Sequence, residues 1–136
     1  MLYRDRMLTC PRCEATLQRR AATESWLCRG CGGVAVEISE LIRILARFAP
    51  DLVPHGGVRG LETRALAATA PALRCAACNQ PMTPVELHGV RLERCYQDQL
   101  VWFDETQLDV VIDAAIADHE ARKGWGRRLR DLLFAN

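Results

Sequence analysis

Seven cysteines are the side chains of this chain best suited to chemistry, and their spacing sorts them into two sets. The first set is Cys10-x-x-Cys13, fourteen intervening residues, and then Cys28-x-x-Cys31. Two such knuckles joined by a hairpin can place four thiolates around one ion, as closed tetrahedral zinc sites do. We therefore predict that these four cysteines bind Zn²⁺. The alternatives are an iron centre or reduced structural cysteines.

The second set departs from the first at its last position. Cys75-x-x-Cys78 is followed after sixteen residues by Cys95, and Asp98 stands where a fourth cysteine would fall. Asp98 carries the charge of a thiolate, and carboxylate oxygens bind zinc at about 2.0–2.2 Å. We predict a second Zn²⁺ held by Cys75, Cys78, Cys95 and Asp98, and thus two per chain. The weaker alternatives are a three-cysteine or vacant site, and ligation by His88, which a hairpin would place about 20 Å from the knuckles.

Neither set predicts an enzyme. Four protein ligands leave no coordination position open for water or substrate. A second site with only three cysteines could activate water, but the H-x-E signature of zinc deaminases is absent. A phosphate-binding glycine loop and a G-x-S-x-G motif are also absent from the sequence. We therefore expect structural metals and no catalysis.

The elements that must position these residues occur twice along the chain. Apolar patterning predicts a hairpin between the knuckles of each set, with its clearest turn at His88-Gly89. A short strand follows each second knuckle, in GVAVE and in LVWFD, and a helix follows each strand. Placing Cys28 on Cys95 also matches the apolar and acidic residues that follow. The sequence therefore predicts an internal repeat.

Two amphipathic helices are predicted, the first over residues 38–49 and the second from an Asp104 N-cap to a Gly124 C-cap. We expect their apolar faces to pack together in a pseudo-twofold unit. The face residues are Ile38, Leu41, Ile42, Leu45 and Phe48 in the first helix, and Leu108, Val111, Ile112, Ala115 and Ile116 in the second.

Both motifs resemble the small zinc ribbons of the transcription factor IIB type. Bacterial members of that family read C-P-x-C, a hairpin, and then C-x-x-C-G-G-V-W-L-D-x-G-E-L before a helix. The first copy matches with CPRC and CRGCGGVAVEISEL, but has Ala35 and Val36 at the Trp and Leu positions. The second copy, CYQDQLVWFDETQL, keeps residues 101–104 and lacks the last cysteine and both glycines. The resemblance implies a zinc-ribbon fold and a nucleic-acid-binding or protein-binding role.

The predicted fold class is α+β: a small zinc-stapled protein of two tandem zinc ribbons, each three-stranded and followed by a helix, plus a C-terminal amphipathic helix. Residues 1–49 would form the first ribbon with its helix, and residues 50–72 a linker with a short helix over 61–70. Residues 73–123 would form the second ribbon with its helix, and 124–136 a basic amphipathic tail. Units of about 50 residues bury too little surface to be stable alone, so metal binding would stabilise the fold.

The charge balance implies that any binding to nucleic acid or membrane would need a local surface. With 18 basic and 17 acidic residues, the net charge of +1 gives no global attraction to nucleic acid or membrane. We favour a protein-interaction adaptor whose tail or ribbon edges dock on another protein, although the tail could instead cover the second helix. The candidate tail residues are Trp125, Arg127, Arg128, Leu129, Leu132 and Leu133. The alternative is a transcription-related ribbon that binds nucleic acid through Arg12, Arg19, Arg20, Trp26 and Arg29.

The sequence also bears on where the protein would reside. It has no apolar run of the roughly 20 residues that a transmembrane helix requires, and no signal-peptide pattern at its start. Cysteines grouped as C-x-x-C pairs suit metal binding in a reducing compartment. We therefore expect a cytoplasmic protein without a transmembrane segment.

Overall fold

The computed structural model describes residues 7–20, 23–48, 63–67 and 71–134, with side chains up to residue 121. These residues form seven strands and two helices. The strands are β1 (Gln18–Arg19), β2 (Ser25–Leu27), β3 (Val34–Glu37), β4 (Arg64–Ala65), β5 (Thr83–Leu87), β6 (Val90–Cys95) and β7 (Leu100–Phe103). The helices are α1 (Ile38–Phe48) and α2 (Gln107–Phe134). The predicted α+β class is confirmed.

The seven strands join one antiparallel sheet in the order β1-β2-β3-β7-β6-β5-β4. The two halves of the chain meet at its centre, where β3 pairs with β7 and Ala35 lies opposite Trp102. Each of these residues stands seven positions after the first cysteine of its second knuckle, Cys28 or Cys95. The register therefore pairs corresponding residues with each other, as a twofold axis between the halves would.

Both helices pack on one face of the sheet. Leu41 and Leu45 of α1 and Val111 and Ala115 of α2 belong to one buried cluster, and the helices contact each other. The strand residues of this cluster alternate along β3, β5, β6 and β7, as side chains on one face of a sheet must. The predicted packing of the two apolar faces is confirmed for these residues, whereas Phe48 is exposed.

The opposite face of the sheet carries the cysteines and two large aromatic rings. Trp26 and Trp102 are each only 2% exposed. They belong to a second buried cluster, which also contains Leu8, Leu17, Ala35, Met82, Leu100, Cys10, Cys28, Cys75 and Cys95. Cysteines of both sets therefore share one apolar layer beneath the sheet, whereas Cys13 is exposed.

The linker contains a strand where a helix is predicted. Residues 64–65 form β4 and pair with Val85 and Glu86 at the edge of β5. The helix expected over residues 61–70 is therefore wrong at these positions, because the β5 edge offers backbone hydrogen-bond partners and Arg64 lies 2.7 Å from the Glu86 carboxylate. Residues 61, 62 and 68–70 lie outside the described part of the chain.

The start of α2 differs from the prediction. Thr106 has a φ of 71°, which no helical residue adopts, so α2 begins at Gln107 and Asp104 is not its N-cap. The Asp104 carboxylate instead accepts a hydrogen bond from Trp102 Nε1 at 3.1 Å. A hydrogen bond typical of a capping box is present, because the Gln107 side chain accepts the N–H of Asp104 at 2.7 Å.

The end of α2 also differs. The helix runs through Gly124 to Phe134, 28 residues in all, so the predicted C-cap and the separate tail helix are wrong. A glycine in a helix interior costs only about 1 kcal/mol, which neighbouring helix-forming residues can offset. Despite this length, no helix in the described part of the chain is apolar enough to span a membrane.

Candidate metal centres

Cys10, Cys13, Cys28 and Cys31, the first cluster, come together at the end of the β1–β2 hairpin. Their sulfur atoms all lie within 4.8 Å of one another. The Sγ atoms of Cys10 and Cys31 are 3.7 Å apart. Zn–S bonds of about 2.3 Å in a tetrahedron put sulfurs about 3.8 Å apart, so this spacing fits one tetrahedral ion.

Backbone N–H groups of the first cluster point at its sulfurs. The N–H groups of Arg12 and Cys13 lie 3.4 Å and 3.3 Å from Cys10 Sγ. The second knuckle closes with a hydrogen bond from the Gly32 N–H to the Cys28 carbonyl at 2.9 Å, and Gly32 has a φ of 77° that glycine adopts freely. Since N–H bonds stabilise a thiolate, the backbone is arranged for metal ligation.

The thiol pKa values in the first cluster reflect these contacts. Hydrogen bonding with Cys31 raises the pKa of Cys13 to about 12, and burial raises the pKa of Cys10. The backbone N–H groups of Cys31 and Gly30 outweigh burial and lower the pKa of Cys28 to about 7. A divalent cation favours the thiolate form, so metal binding would release protons from the thiols whose pKa is high.

Cys75, Cys78, Cys95 and Asp98, the second cluster, have the same spacing. Their ligand atoms lie within 4.8 Å of one another. Asp98 Oδ2 is 3.5 Å from Cys75 Sγ and 3.7 Å from Cys95 Sγ, and the sulfurs of Cys78 and Cys95 are 3.8 Å apart. Burial raises the pKa of Cys75 and of Cys78. The structure therefore brings Asp98 to the fourth corner, with separations that fit a tetrahedral ion.

The backbone of the second cluster repeats that of the first. The residue after each first knuckle, Glu14 or Asn79, has a φ of 61°. The residue after each second knuckle is also left-handed, Gly32 at 77° and Gln99 at 55°. The Asp98 N–H lies 3.4 Å from Cys95 Sγ, so a backbone donor points at sulfur here as well. The loop that carries Asp98 therefore has the same backbone geometry as the loop that carries Cys31.

His88 belongs to neither cluster. It lies at the tip of the β5–β6 hairpin, as its predicted turn requires, and its Nδ1 is 2.8 Å from Asp118 Oδ2 on α2. The alternative that His88 is a ligand of the second metal site is thus wrong, because its imidazole contacts Asp118 and holds the hairpin tip against α2.

The first cluster also contacts the second half of the chain. Arg12 donates to both carboxylate oxygens of Asp104, through Nη2 to Oδ2 at 2.8 Å and through Nε to Oδ1. Burial would raise the pKa of Asp104, but hydrogen bonds from Arg12 and Trp102 outweigh it and hold the pKa below its usual range. The Trp102 ring also lies directly over Gly33, where an added Cβ would overlap it.

The arginine and tryptophan positions proposed for nucleic-acid binding do not form one free surface. Trp26 is buried beneath the sheet, so the prediction that it stacks on bases is wrong. The alternation of β2 turns its ring toward the cysteines. Arg12 pairs with Asp104, and Arg19 pairs with Glu24 at 3.0 Å. The remaining candidates, Arg20 and Arg29, are exposed.

The tail candidates Trp125, Arg127, Arg128, Leu129, Leu132 and Leu133 lie on the backbone of α2, but their side chains fall outside the described ones.

Sequence reasoning missed the pairing of Arg12 with Asp104 and the burial of Arg94. Arg12 and Asp104 are 92 residues apart in sequence, so no local sequence pattern predicts their pairing. Arg94 is 7% exposed. It follows Val90 and Leu92 on an apolar face of β6, and the alternation of that strand was the signal for its burial.

No protein-family model matches the chain, and no match is found among curated proteins or among solved structures. The resemblance to zinc ribbons therefore rests on the residues of the two motifs.

Proposed function

We propose that the protein is a non-enzymatic binding scaffold made of two zinc ribbons, each stapled by one Zn²⁺. The observation that carries this proposal is the pair of four-ligand clusters, in which all donor atoms lie within 4.8 Å of one another. Tetrahedral sets rich in thiolate suit zinc. Because each cluster supplies four protein ligands, neither leaves a position for substrate, so both ions would be structural.

The relation between the two ribbons is supported by side-chain volumes at the centre of the sheet. Trp102 of the second copy lies on Gly33 of the first. Under the proposed twofold relation these residues correspond to Ala35 and Leu100, which share the same buried cluster. The large Trp102 thus corresponds to the small Ala35 in the first copy, and the small Gly33 corresponds to the larger Leu100 in the second. This volume exchange supports the proposal that the two copies are related ribbons, each with a different part of the motif.

We propose that the scaffold serves as a protein-interaction adaptor and that the C-terminal part of α2 docks on the partner. At about 1.5 Å per residue, the 28 residues of α2 make a helix of about 42 Å. Seven strands about 4.8 Å apart span only about 29 Å, and the longest strand about 20 Å. The sheet is thus shorter than the helix in both directions, which favours a projecting end.

Nucleic-acid binding has less support. Its proposed stacking residue is buried, and Arg12 and Arg19 are already paired with carboxylates. A phosphate contact releases counterions condensed on the nucleic acid when a free cationic side chain neutralises the phosphate, and an arginine already paired with a carboxylate does so poorly.

The metal sites are tested by stoichiometry. We expect two Zn²⁺ per chain in the unmodified protein, about one in Asp98→Ala, and two in Asp98→Cys, because a thiolate can replace the carboxylate. Asp109→Ala, an exposed acid on α2, is the matched control and should keep two. Elemental analysis and native mass spectrometry measure the ratio. One zinc in the unmodified protein would refute the second site.

The adaptor proposal is tested by crosslinking of the full chain in its native extract, followed by mass spectrometry of the crosslinked peptides. A Leu129→Glu/Leu133→Glu variant should lose its partner while retaining two zinc ions. Val110→Glu, at an exposed site earlier on α2, should keep it. Equal recovery by both variants would argue against docking through the tail.

A further inference from the structure

We infer that Arg94 clamps the turn that carries Asp98, so that metal at the second cluster controls whether residues 63–67 stay docked on the edge of the sheet. This inference rests on the proposed second zinc site, and it adds what holds that site and what the site regulates.

Arg94 is a buried cation whose hydrogen bonds go to neutral groups. Its Nη2 lies 3.2 Å from Gln99 Oε1 and its Nη1 lies 2.7 Å from Thr63 Oγ1. The guanidinium carbon lies 4.4 Å from the centre of the Tyr96 ring. Burial of a guanidinium is costly unless such contacts are made, and the buried Nε of Arg94 has no hydrogen-bond partner among the described residues, so these three contacts must offset the cost. Arg94 thereby touches residues on both sides of Asp98 in sequence.

Gln99 explains why the turn needs a clamp. Its φ of 55° is a conformation that side chains with a Cβ resist. Three further contacts hold it there: the Arg94 bond, a bond from its own Nε2 to the Tyr96 carbonyl at 2.7 Å, and a bond from the Ile38 N–H to its carbonyl at 2.9 Å. Residues 96–99, which include Asp98, are therefore fixed partly by side chains.

The first cluster forms the same turn without an arginine or a glutamine at the corresponding positions. The residue corresponding to Gln99 is Gly32, which adopts its φ of 77° without a Cβ. The residue corresponding to Arg94 is Leu27, which offers no hydrogen bond. The second half thus has a glutamine where the first has a glycine, and among the described residues only the second half has an arginine that hydrogen-bonds to this residue.

The clamp extends to the linker. Thr63, which accepts from Arg94, also lies 3.4 Å from the Tyr96 hydroxyl and directly precedes β4. β4 has only two residues, and the Leu66 N–H donates to the Pro84 carbonyl at 2.8 Å just beyond it. So short a strand has little stability of its own. Release of Asp98 would loosen the turn, weaken the hold of Arg94 on Thr63 and free the edge of β5.

The test compares Arg94→Lys with Arg91→Lys in the zinc-loaded full chain. Lysine keeps the charge but lacks the planar fork that reaches two acceptors. Arg91 is exposed on the same strand and serves as the matched control. Zinc is withdrawn by increasing concentrations of a chelator, and alkylation of the freed cysteines is mapped by mass spectrometry. Each cluster is then reported separately in the same molecule.

We expect Arg94→Lys to weaken zinc binding at the second cluster by about 10- to 100-fold, the range for outer-shell partners of metal ligands, and to leave the first cluster unchanged. In a Gln99→Gly background the effect of Arg94→Lys should vanish, because the turn no longer needs the clamp. Hydrogen exchange should show the Leu66 amide losing protection as the second cluster empties, and losing far more than the Leu17 amide, bonded to Leu8 at 2.8 Å in the first half, because β4 would open locally.

Several results would overturn the inference. One zinc in the unmodified protein would remove the second site itself, and with it the proposed function of that half. Two zincs with equal second-site affinity in Arg94→Lys and Arg91→Lys would refute the clamp and leave the zinc sites standing. Equal weakening of both clusters would show a general loss of stability instead. Protection at Leu66 that is unaffected by zinc removal would refute the coupling to β4.

Discussion

At the scale of single residues, a glycine, which has no Cβ, can leave space for a large side chain to pack against the backbone. Gly33 is the clearest case, because the Trp102 ring occupies the space that a Cβ at Gly33 would need. Gly30 is a useful contrast, since a Cβ there would meet the sulfurs of Cys13 and Cys28 at an ordinary 3.6 Å and 3.7 Å. The two glycines belong to the same knuckle motif, yet only Gly33 is fixed by a contact from the other half of the chain.

We predict that Gly33→Ala lowers the free energy of unfolding by about 1–3 kcal/mol, the usual cost of forcing extra volume into a packed site. Gly30→Ala should change it much less. Denaturant titration of the zinc-loaded proteins, followed by tryptophan fluorescence, measures both. Equal effects from the two substitutions would mean that the contact of Gly33 with Trp102 does not determine the loss of stability.

At the scale of elements, the helices are held by the face that they bury. On α2, Val111 is fully buried between the sheet and α1, whereas the neighbouring Val110 is 48% exposed. The hairpin of β5 and β6 adds a polar contact to the same helix through His88 and Asp118. An exposed polar contact of this kind contributes little, so the apolar face should dominate the attachment of α2.

We predict that Val111→Ala destabilises the protein by about 2 kcal/mol, because two buried methyl groups are lost and a small cavity remains. Val110→Ala should be nearly neutral. The pair is chemically identical and adjacent in sequence, so thermal or denaturant unfolding isolates the effect of burial. A similar loss in both variants would contradict the position of α2 on the sheet.

At the scale of the whole molecule, the two halves share one sheet and one layer of cysteines. The β3–β7 pairing runs from Val34 opposite Phe103 to Glu37 opposite Leu100. The cluster that contains Cys10 and Cys28 also contains residues of the second half. Neither half can be exposed to water without opening the strand pair at the centre, so we expect the halves to unfold together.

We predict that Cys13→Ser/Cys31→Ser, which removes the first zinc site, reduces hydrogen-exchange protection in β6 and β7 as well as in β2 and β3. The measurement is exchange followed by mass spectrometry on the full chain. The unmodified protein should show a single cooperative unfolding transition. Two separate transitions, or full protection of β7 in the variant, would show that the halves are independent.

The sequence by itself determined the local features. C-x-x-C spacing identified six of the eight candidate ligands, and the matching register of the second knuckle pointed to Cys95 and Asp98, because ligands on tight loops are set by neighbours in sequence. Apolar periodicity located α1, the β5–β6 hairpin and the buried faces of both helices, since helix and strand repeats are visible within about ten residues.

Only the tertiary structure decided the features that depend on distant partners. β4 forms because its backbone pairs with the edge of β5. Asp104 does not cap α2 because its carboxylate accepts hydrogen bonds from Arg12 and Trp102. The joining of the halves through Ala35 and Trp102 likewise depends on two strands that lie far apart in sequence. These contacts are chosen by packing and hydrogen-bond satisfaction across the fold, and no local pattern of residues encodes them.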